Sequence, residues 1–133
     1  MLNQYTAVGI QNVSRMAVTR DDYMKDLESL ATSLRYAVWN CSLDLPVKLV
    51  AISEGGIGGW CLGGGEEHLR IYREVAPEIP GRETDFLGDL ARELGVHIVA
   101  SMVAKDPELM EDRVFNIAFI IDPTGKVIHK HYK

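Results

Sequence analysis

What the sequence has little of bounds it first. Its longest mostly apolar runs fall short of a dozen residues, whereas a bilayer-spanning helix needs about 20, so no membrane span is expected. Cysteine is scarce: Cys41 and Cys61 are the only two. Two cysteines build no disulfide framework, and a reducing compartment, the cytoplasm, is the expected address. There is no basic run, and 14 Lys+Arg against 19 Asp+Glu leave a net charge of −5. Without a positive footprint for phosphate backbones, nucleic acid is not an expected partner. The first ten residues, MLNQYTAVGI, put no positive segment ahead of an apolar stretch, so no signal peptide is expected. Neither internal repeats nor low-complexity tracts occur. What is present is ordinary for a globular protein: 47% hydrophobic and 25% charged residues, too apolar for a disordered chain. The length of 133 residues suits one domain.

Periodicity then orders the chain. Tyr5 to Ile10 is rich in β-formers and predicts a strand. Thr19-Arg-Asp-Asp22 has the shape of a helix N-cap with acids in the first turn, where the helix dipole favours them. From there Met24, Leu27, Ala31, Leu34 and Val38 recur at three- and four-residue steps, predicting an amphipathic helix from about Asp21 to Asn40. Val47 to Ile52 is almost wholly apolar, the pattern of a strand covered on both faces. The following segment holds seven of the twelve glycines and reads as a loop, punctuated later by Pro77 and Pro80-Gly81. Thr84 is expected to cap a second helix with Phe86, Leu87, Leu90, Ala91 and Leu94 on one face, stopped by Gly95. Val96 to Ala100 predicts a third buried strand. Val114 to Ile121 and Lys126 to His131 predict a hairpin closed by a type I turn at Asp122-Pro-Thr-Gly125. The order β-α-β-α-β followed by a hairpin argues for an α/β fold with helices layered on a mixed sheet.

Glu54 is the leading candidate for chemistry. It directly follows an apolar strand, and ligand crevices of open α/β sheets lie at the carboxyl ends of strands. Partial desolvation there would raise the carboxyl pKa and suit it to general-base work; the plainer alternative is a glutamate that caps a nearby loop. The glycine-rich EGGIGGWCLGGG lacks the Lys-Ser/Thr ending of a P-loop and shows no GxGxxG, so a nucleotide-binding reading has no complete motif. Trp60 in that loop fits the apolar wall of a pocket or a surface anchor equally. His129 and His131, two apart on a strand, face one side, but no third ligand with credible spacing joins them in a zinc site. His68 and His97 stand alone. Cys41 and Cys61 read as unreactive, since a glycine-flanked loop neither holds a thiol nor lowers its pKa. Lys130 and Lys133, at the end of the hairpin strand, read locally as solvated charges.

Three segments together resemble the N-terminal part of the nitrilase superfamily of carbon–nitrogen hydrolases. LVAISE, Leu49 to Glu54, is similar to the apolar strand ending in the family's catalytic glutamate. IPGRETDFLGDLARELGVHIVAS, Ile79 to Ser101, is similar to its Pro-Gly turn, helix and strand. FNIAFIIDPTGKVIHKHYK, Phe115 to Lys133, resembles the aromatic-Asn-x-Ala strand, the Asp-Pro-x-Gly turn and the strand that runs into the catalytic lysine. The resemblance covers essentially the whole chain, in order and in register. It implies part of a four-layer αββα sandwich, residues 1–133 forming the N-terminal part of one carbon–nitrogen hydrolase domain, usually assembled into homo-oligomers. It also implies that Glu54 is the general base and that Lys133 stabilises the oxyanion, in the hydrolysis of an amide, nitrile or N-carbamoyl substrate through a cysteine thioester. No cofactor or metal is implied.

Ser53 stands where the family usually has proline, and Gly55-Gly56 where a bulkier residue is common. The family's nucleophilic cysteine follows the lysine, in a strand-to-helix elbow. Cys41 and Cys61 both precede Lys133 and match no such elbow, so the nucleophile is expected outside these residues. The alternative from another class is a catalytically inactive, nitrilase-like binding or assembly module.

Overall fold

The computed structural model describes residues 3–60 and 65–133. In chain order the elements are β1 (Thr6–Ile10), α1 (Arg20–Cys41), β2 (Val47–Ile52), α2 (Glu66–Val75), α3 (Arg82–Leu94), β3 (His97–Lys105), β4 (Val114–Ile121) and β5 (Val127–Tyr132). The five strands form one sheet in the order β1-β2-β3-β4-β5. Strands β1, β2 and β3 run parallel, while β3–β4 and β4–β5 pair antiparallel. The sheet is therefore mixed, as the alternation of elements predicts. Parallel neighbours need crossover connections, and α1 and the α2–α3 pair supply them.

Helix α1 starts as its sequence dictates. The Asp22 carboxylate accepts hydrogen bonds from the backbone amides of Val18 and Thr19 at 3.2 and 2.9 Å, satisfying donors that a helix start leaves unpaired. Its buried stripe is Tyr23, Leu27, Leu30, Ala31, Leu34 and Val38. That stripe packs with Leu87, Leu90 and Ala91 of α3 against Ile98, Ala100, Met102, Ile117, Phe119 and Ile121 of the sheet. Both helices thus cover one face. They are tied to each other where Arg20 grips the buried Glu83 through two bonds of 2.9 and 3.0 Å, and again where Arg35 meets Glu93 at 2.7 Å. The alternate sheet residues tell a different story. Val99, Asn116, Ala118 and Ile120 are only half-buried and Ala51 is exposed, so the second face remains partly open.

Four expectations need correction. Strand β2, read as covered on both faces, has Lys48 and Ala51 exposed and Leu49 only half-buried. The segment read as a loop contains α2, whose half-buried His68, Ile71 and Tyr72 and buried Val75 fall at three- and four-residue steps, a short stripe obscured by the glycines ahead of it. Strand β3 continues five residues past Ala100, because Ser101 to Lys105 pair with Ala118 to Val114. Thr84 caps α3 from inside its first turn rather than ahead of it. The cap position is Gly81, and the Thr84 hydroxyl accepts from the Gly81 amide at 2.8 Å and donates to the Gly81 carbonyl at the same distance. The hairpin turn is as expected: the Gly125 amide donates to the Asp122 carbonyl at 2.9 Å, and Gly125 has φ of 83°.

Candidate active site

Glu54 sits just past the carboxyl end of β2, in a turn that the chain closes at once. The Ser53 amide donates to the Ile10 carbonyl at 3.0 Å and the Gly56 amide to the Ser53 carbonyl at 2.9 Å. Gly55 makes this turn possible on two counts. Its φ is 74°, a left-handed conformation that side chains resist. A Cβ there would also lie 2.2 Å from Nε1 of Trp60. The half-buried Trp60 thus lies over the residue that follows Glu54, a placement between the two read from sequence.

Strands β4 and β5 bring two donors to the carboxylate. Asn116 Nδ2 donates to Glu54 Oε1 at 2.8 Å, and Lys133 Nζ donates to the same oxygen at 3.0 Å. Lys133 is held by its own backbone, whose amide donates to the Asn116 carbonyl at 3.0 Å. The three residues are 62 and 79 positions apart along the chain and meet only through the ladder β2-β3-β4-β5. Their charges stay in contact with solvent: the Lys133 side chain is 71% and that of Glu54 51% exposed.

This geometry reverses one expectation. Desolvation should raise the Glu54 pKa, but the Lys133 hydrogen bond, the Asn116 hydrogen bond and the Lys133 charge together hold it below its ordinary 4.5. An exposed carboxylate loses little hydration, so its donors decide the sign.

Beside the pair the open sheet face forms a concavity of about 430 Å³, walled by Ile52, Val99, Ala100, Ala118, Ser101 and His131 as well as Asn116, Glu54 and Lys133. His131 pairs with Ala118 and His129 with Ile120, so the two histidines share this face as predicted. No group of three His, Cys, Asp or Glu suited to a metal occurs among the described residues. His97 is exposed and pairs with Leu49 on β2; His68 lies on α2.

Lys130 is not the solvated charge its position suggests. It forms an ion pair with Asp106, a carboxylate 1% exposed that also accepts from the Tyr132 hydroxyl. Burial works against the Asp106 charge, but the Lys130 and Tyr132 hydrogen bonds and the Lys130 charge outweigh it and hold the carboxyl below its usual range. This cluster anchors β5 through Lys130 and Tyr132, three residues and one residue before Lys133. Cys41 is exposed at the last turn of α1, ahead of β2, at the end of the sheet opposite Glu54. Cys61 lies outside the described residues.

Sequence reasoning assigned no role to Asn116, although it stands inside the quoted aromatic-Asn-x-Ala motif. That position was the available signal. Nothing in the sequence singled out Ser101 or Asp106: Ser101 pairs with Ala118 of β4, and the side chains that partner Asp106 come from β5.

The sequence model of the carbon-nitrogen hydrolase family matches residues 8–133. Among curated proteins, the chain is 38% identical over 66 residues to the nitrilase of Pyrococcus abyssi, covering 45% of this chain and 24% of that protein. It is 28% identical over 64 residues to omega-amidase NIT2-B of Xenopus laevis, covering 48% of this chain and 22% of the relative. The chain thus spans less than two thirds of the length of these relatives. The crystal structure of Saccharomyces cerevisiae Nit3, a member of branch 10 of the nitrilase superfamily, superposes with a TM-score of 0.67 at 24% identity, covering 90% of this chain and 42% of that one. Among the described residues no helix is long and apolar enough to cross a membrane.

Proposed function

The chain belongs to the carbon–nitrogen hydrolase family, and from that premise we propose that it forms the glutamate- and lysine-bearing part of an enzyme that hydrolyses small amides or nitriles. One observation carries this reading: Asn116 Nδ2 and Lys133 Nζ converge at 2.8 and 3.0 Å on a single oxygen of Glu54, at the edge of a concavity. An ionised carboxylate beside a fixed ammonium is the layout for taking a proton at one point while stabilising developing negative charge at the next.

In the proposed cycle a cysteine thiol gives its proton to Glu54 and its sulfur attacks the substrate carbonyl carbon. The carbonyl oxygen, now negative, lies near the Lys133 ammonium. Glu54 returns the proton to the departing nitrogen, which leaves as ammonia or amine, and an acyl thioester remains. Water then loses a proton to Glu54 and attacks the thioester, releasing the carboxylic acid and restoring the thiol. For a nitrile, the first addition gives a thioimidate that takes up water before ammonia leaves. Asn116 keeps Glu54 oriented throughout.

The nucleophile in this scheme is supplied from outside the 133 residues. Cys41 lies at the wrong end of the sheet, and Cys61 precedes the lysine where the family's nucleophile follows it. The same proposal has the rest of the domain covering the half-open sheet face, in a four-layer sandwich that assembles as a homo-oligomer in the cytoplasm.

The test is ammonia release from small amides and nitriles by the full-length protein, with intact-mass detection of an acyl adduct. Glu54→Gln should lower kcat/KM about 10³-fold, and Lys133→Met by at least about 10². Full turnover in Glu54→Gln would refute the base assignment. Absence of turnover and of any cysteine adduct would favour the inactive module instead.

A further inference from the structure

The glycine-rich segment after Glu54 takes no part in the proposed chemistry, yet it holds the residue that does. Glu54 belongs to no strand. It occupies the first central position of a turn over residues 53–56, closed by the Gly56 amide on the Ser53 carbonyl. Gly55 takes the second central position with φ of 74°, as in a type II turn. No proline fixes a φ angle here, and Gly55 and Gly56 are the residue type with the freest backbone. Left to itself, such a turn would swing about the end of β2 and carry the carboxylate with it.

The chain restrains it from outside. The segment that joins β1 to α1 lies along the turn and takes hold of its carbonyls. Ser14 Oγ donates to the Gly55 carbonyl at 2.9 Å, and Asn12 Nδ2 donates to the Gly56 carbonyl at 2.7 Å. The Ala17 amide donates to the Gly58 carbonyl at 2.9 Å, while the Gly58 amide donates to Asp26 Oδ2 of α1 at 3.3 Å. Ahead of the glutamate, the Ser53 amide is bound to the Ile10 carbonyl. Glu54 is thus bracketed by tethered peptides on both sides.

Close approach accounts for the glycines. A Cβ on Gly56 would lie 2.6 Å from Asn12 Oδ1, and one on Gly59 would lie 2.2 Å from the Arg15 carbonyl oxygen. Side chains at these positions would lift the joining segment off the turn. The tethering matters because Asn116 and Lys133 reach Glu54 from elsewhere in the sheet and do not travel with it. A displacement of about 1 Å at a reacting group costs on the order of 10²-fold in rate.

We propose that residues 12–17 form a strap that fixes the Glu54 turn, with Asn12 and Ser14 as positioning residues for the general base. This rests on the hydrolase reading above and adds what holds its base in place. Neither residue donates to the Glu54 carboxylate; both act through the two peptides that follow it.

The test uses the full-length protein and a small amide. Ser14 is exposed, so Ser14→Ala opens no cavity. That change and Asn12→Ala should each lower kcat by about tenfold or more with KM little altered. Ser14→Thr, which keeps the hydroxyl, should restore the rate. A slack turn also weakens the Lys133 and Asn116 bonds that lower the Glu54 pKa, so the acid limb of the pH–rate profile should rise toward 4.5 in both alanine variants. Val38→Ala, in the buried stripe of α1, is a destabilised control with the strap intact, and its kcat and acid limb should match the wild type. If the wild-type protein hydrolyses no amide, the hydrolase reading falls, and NMR titration of the Glu54 carboxyl reads the strap directly. Its midpoint should then rise in Asn12→Ala and in Ser14→Ala. An unchanged kcat and limb, or an unchanged midpoint, in both variants overturns the strap. So does an equal change in Val38→Ala, because the loss would then report stability alone.

Discussion

At the scale of single residues, Glu54 is governed by its donors and not by burial. Its pKa in the folded protein is depressed. The ion pair with Lys133 is therefore intact above the ordinary carboxylate value and is lost as the pH falls through the lower folded value. With Glu54 as base, the acid limb of kcat/KM should lie below pH 4.5, its ordinary pKa. Asn116→Ala removes one of the lowering bonds and should move that limb upward, which a pH–rate profile of the full-length protein would read. An unmoved limb would assign the profile to another group. Asp106 makes a second residue-scale prediction. Its buried carboxylate serves both Lys130 and Tyr132, and Asp106→Ala should cost about 2–3 kcal/mol by leaving those donors unpaired. Tyr132→Phe should cost about 1 kcal/mol. Denaturant midpoints at constant m-value would check both. Glu54 and Lys133 were legible as candidates because they stand in recognisable motifs. Lys130 was not, because the residue that neutralises it lies 24 positions away, and no local pattern announces such a pairing.

At the scale of elements, legibility followed apolar periodicity. Helix α1 is evident from its continuous buried stripe, strand β2 from its almost unbroken apolar run, and the Asp122–Gly125 turn because each position has a backbone reason. Helix α2 has only a short one, His68, Ile71, Tyr72 and Val75, opposite the exposed Glu66, Glu67, Leu69, Arg70, Arg73 and Glu74, and the glycines before it suggest only a loop. The turn after β2 allows a direct test of its backbone. Gly55→Ala meets both a left-handed φ and the Trp60 ring, and should destabilise by more than about 1 kcal/mol. In a Trp60→Ala background the steric part should disappear while the conformational part remains. Thermal melts of the four combinations separate the two, and full recovery in the double variant would show that φ contributes nothing. In the core, Leu34 is fully buried between α1 and its neighbours, and Leu34→Ala should cost about 2–5 kcal/mol.

At the scale of the whole molecule, the two faces of the sheet are unequal. One is sealed by α1 and α3, with Ile98, Ile117 and Ile121 fully inaccessible. The other exposes Ala51 and half-exposes Val99, Ala118 and Ile120. If the remainder of the domain covers that face, as proposed, then Val99→Asp places a carboxylate in a closed interior. It should destabilise the full-length protein by more than about 2 kcal/mol. In a polypeptide limited to residues 1–133 the same change should cost far less, because the face stays wet. Equal small losses in both would show the face to be uncovered in the complete protein.

The sequence by itself determined the α/β class, the strand order along the chain and the two charged residues that follow β2 and β5. Those properties follow from local periodicity, turn chemistry and motif position, which need no knowledge of distant neighbours. Tertiary structure alone decided that Asn116 and Lys133 share one oxygen of Glu54, that this contact lowers the Glu54 pKa instead of raising it, and that Ser101, Ala118 and His131 fall in one row of the sheet. Each of these depends on the register between strands far apart in the chain. A shift of one residue in any ladder would turn the alternate side chains to the opposite face, a difference that composition and spacing do not record.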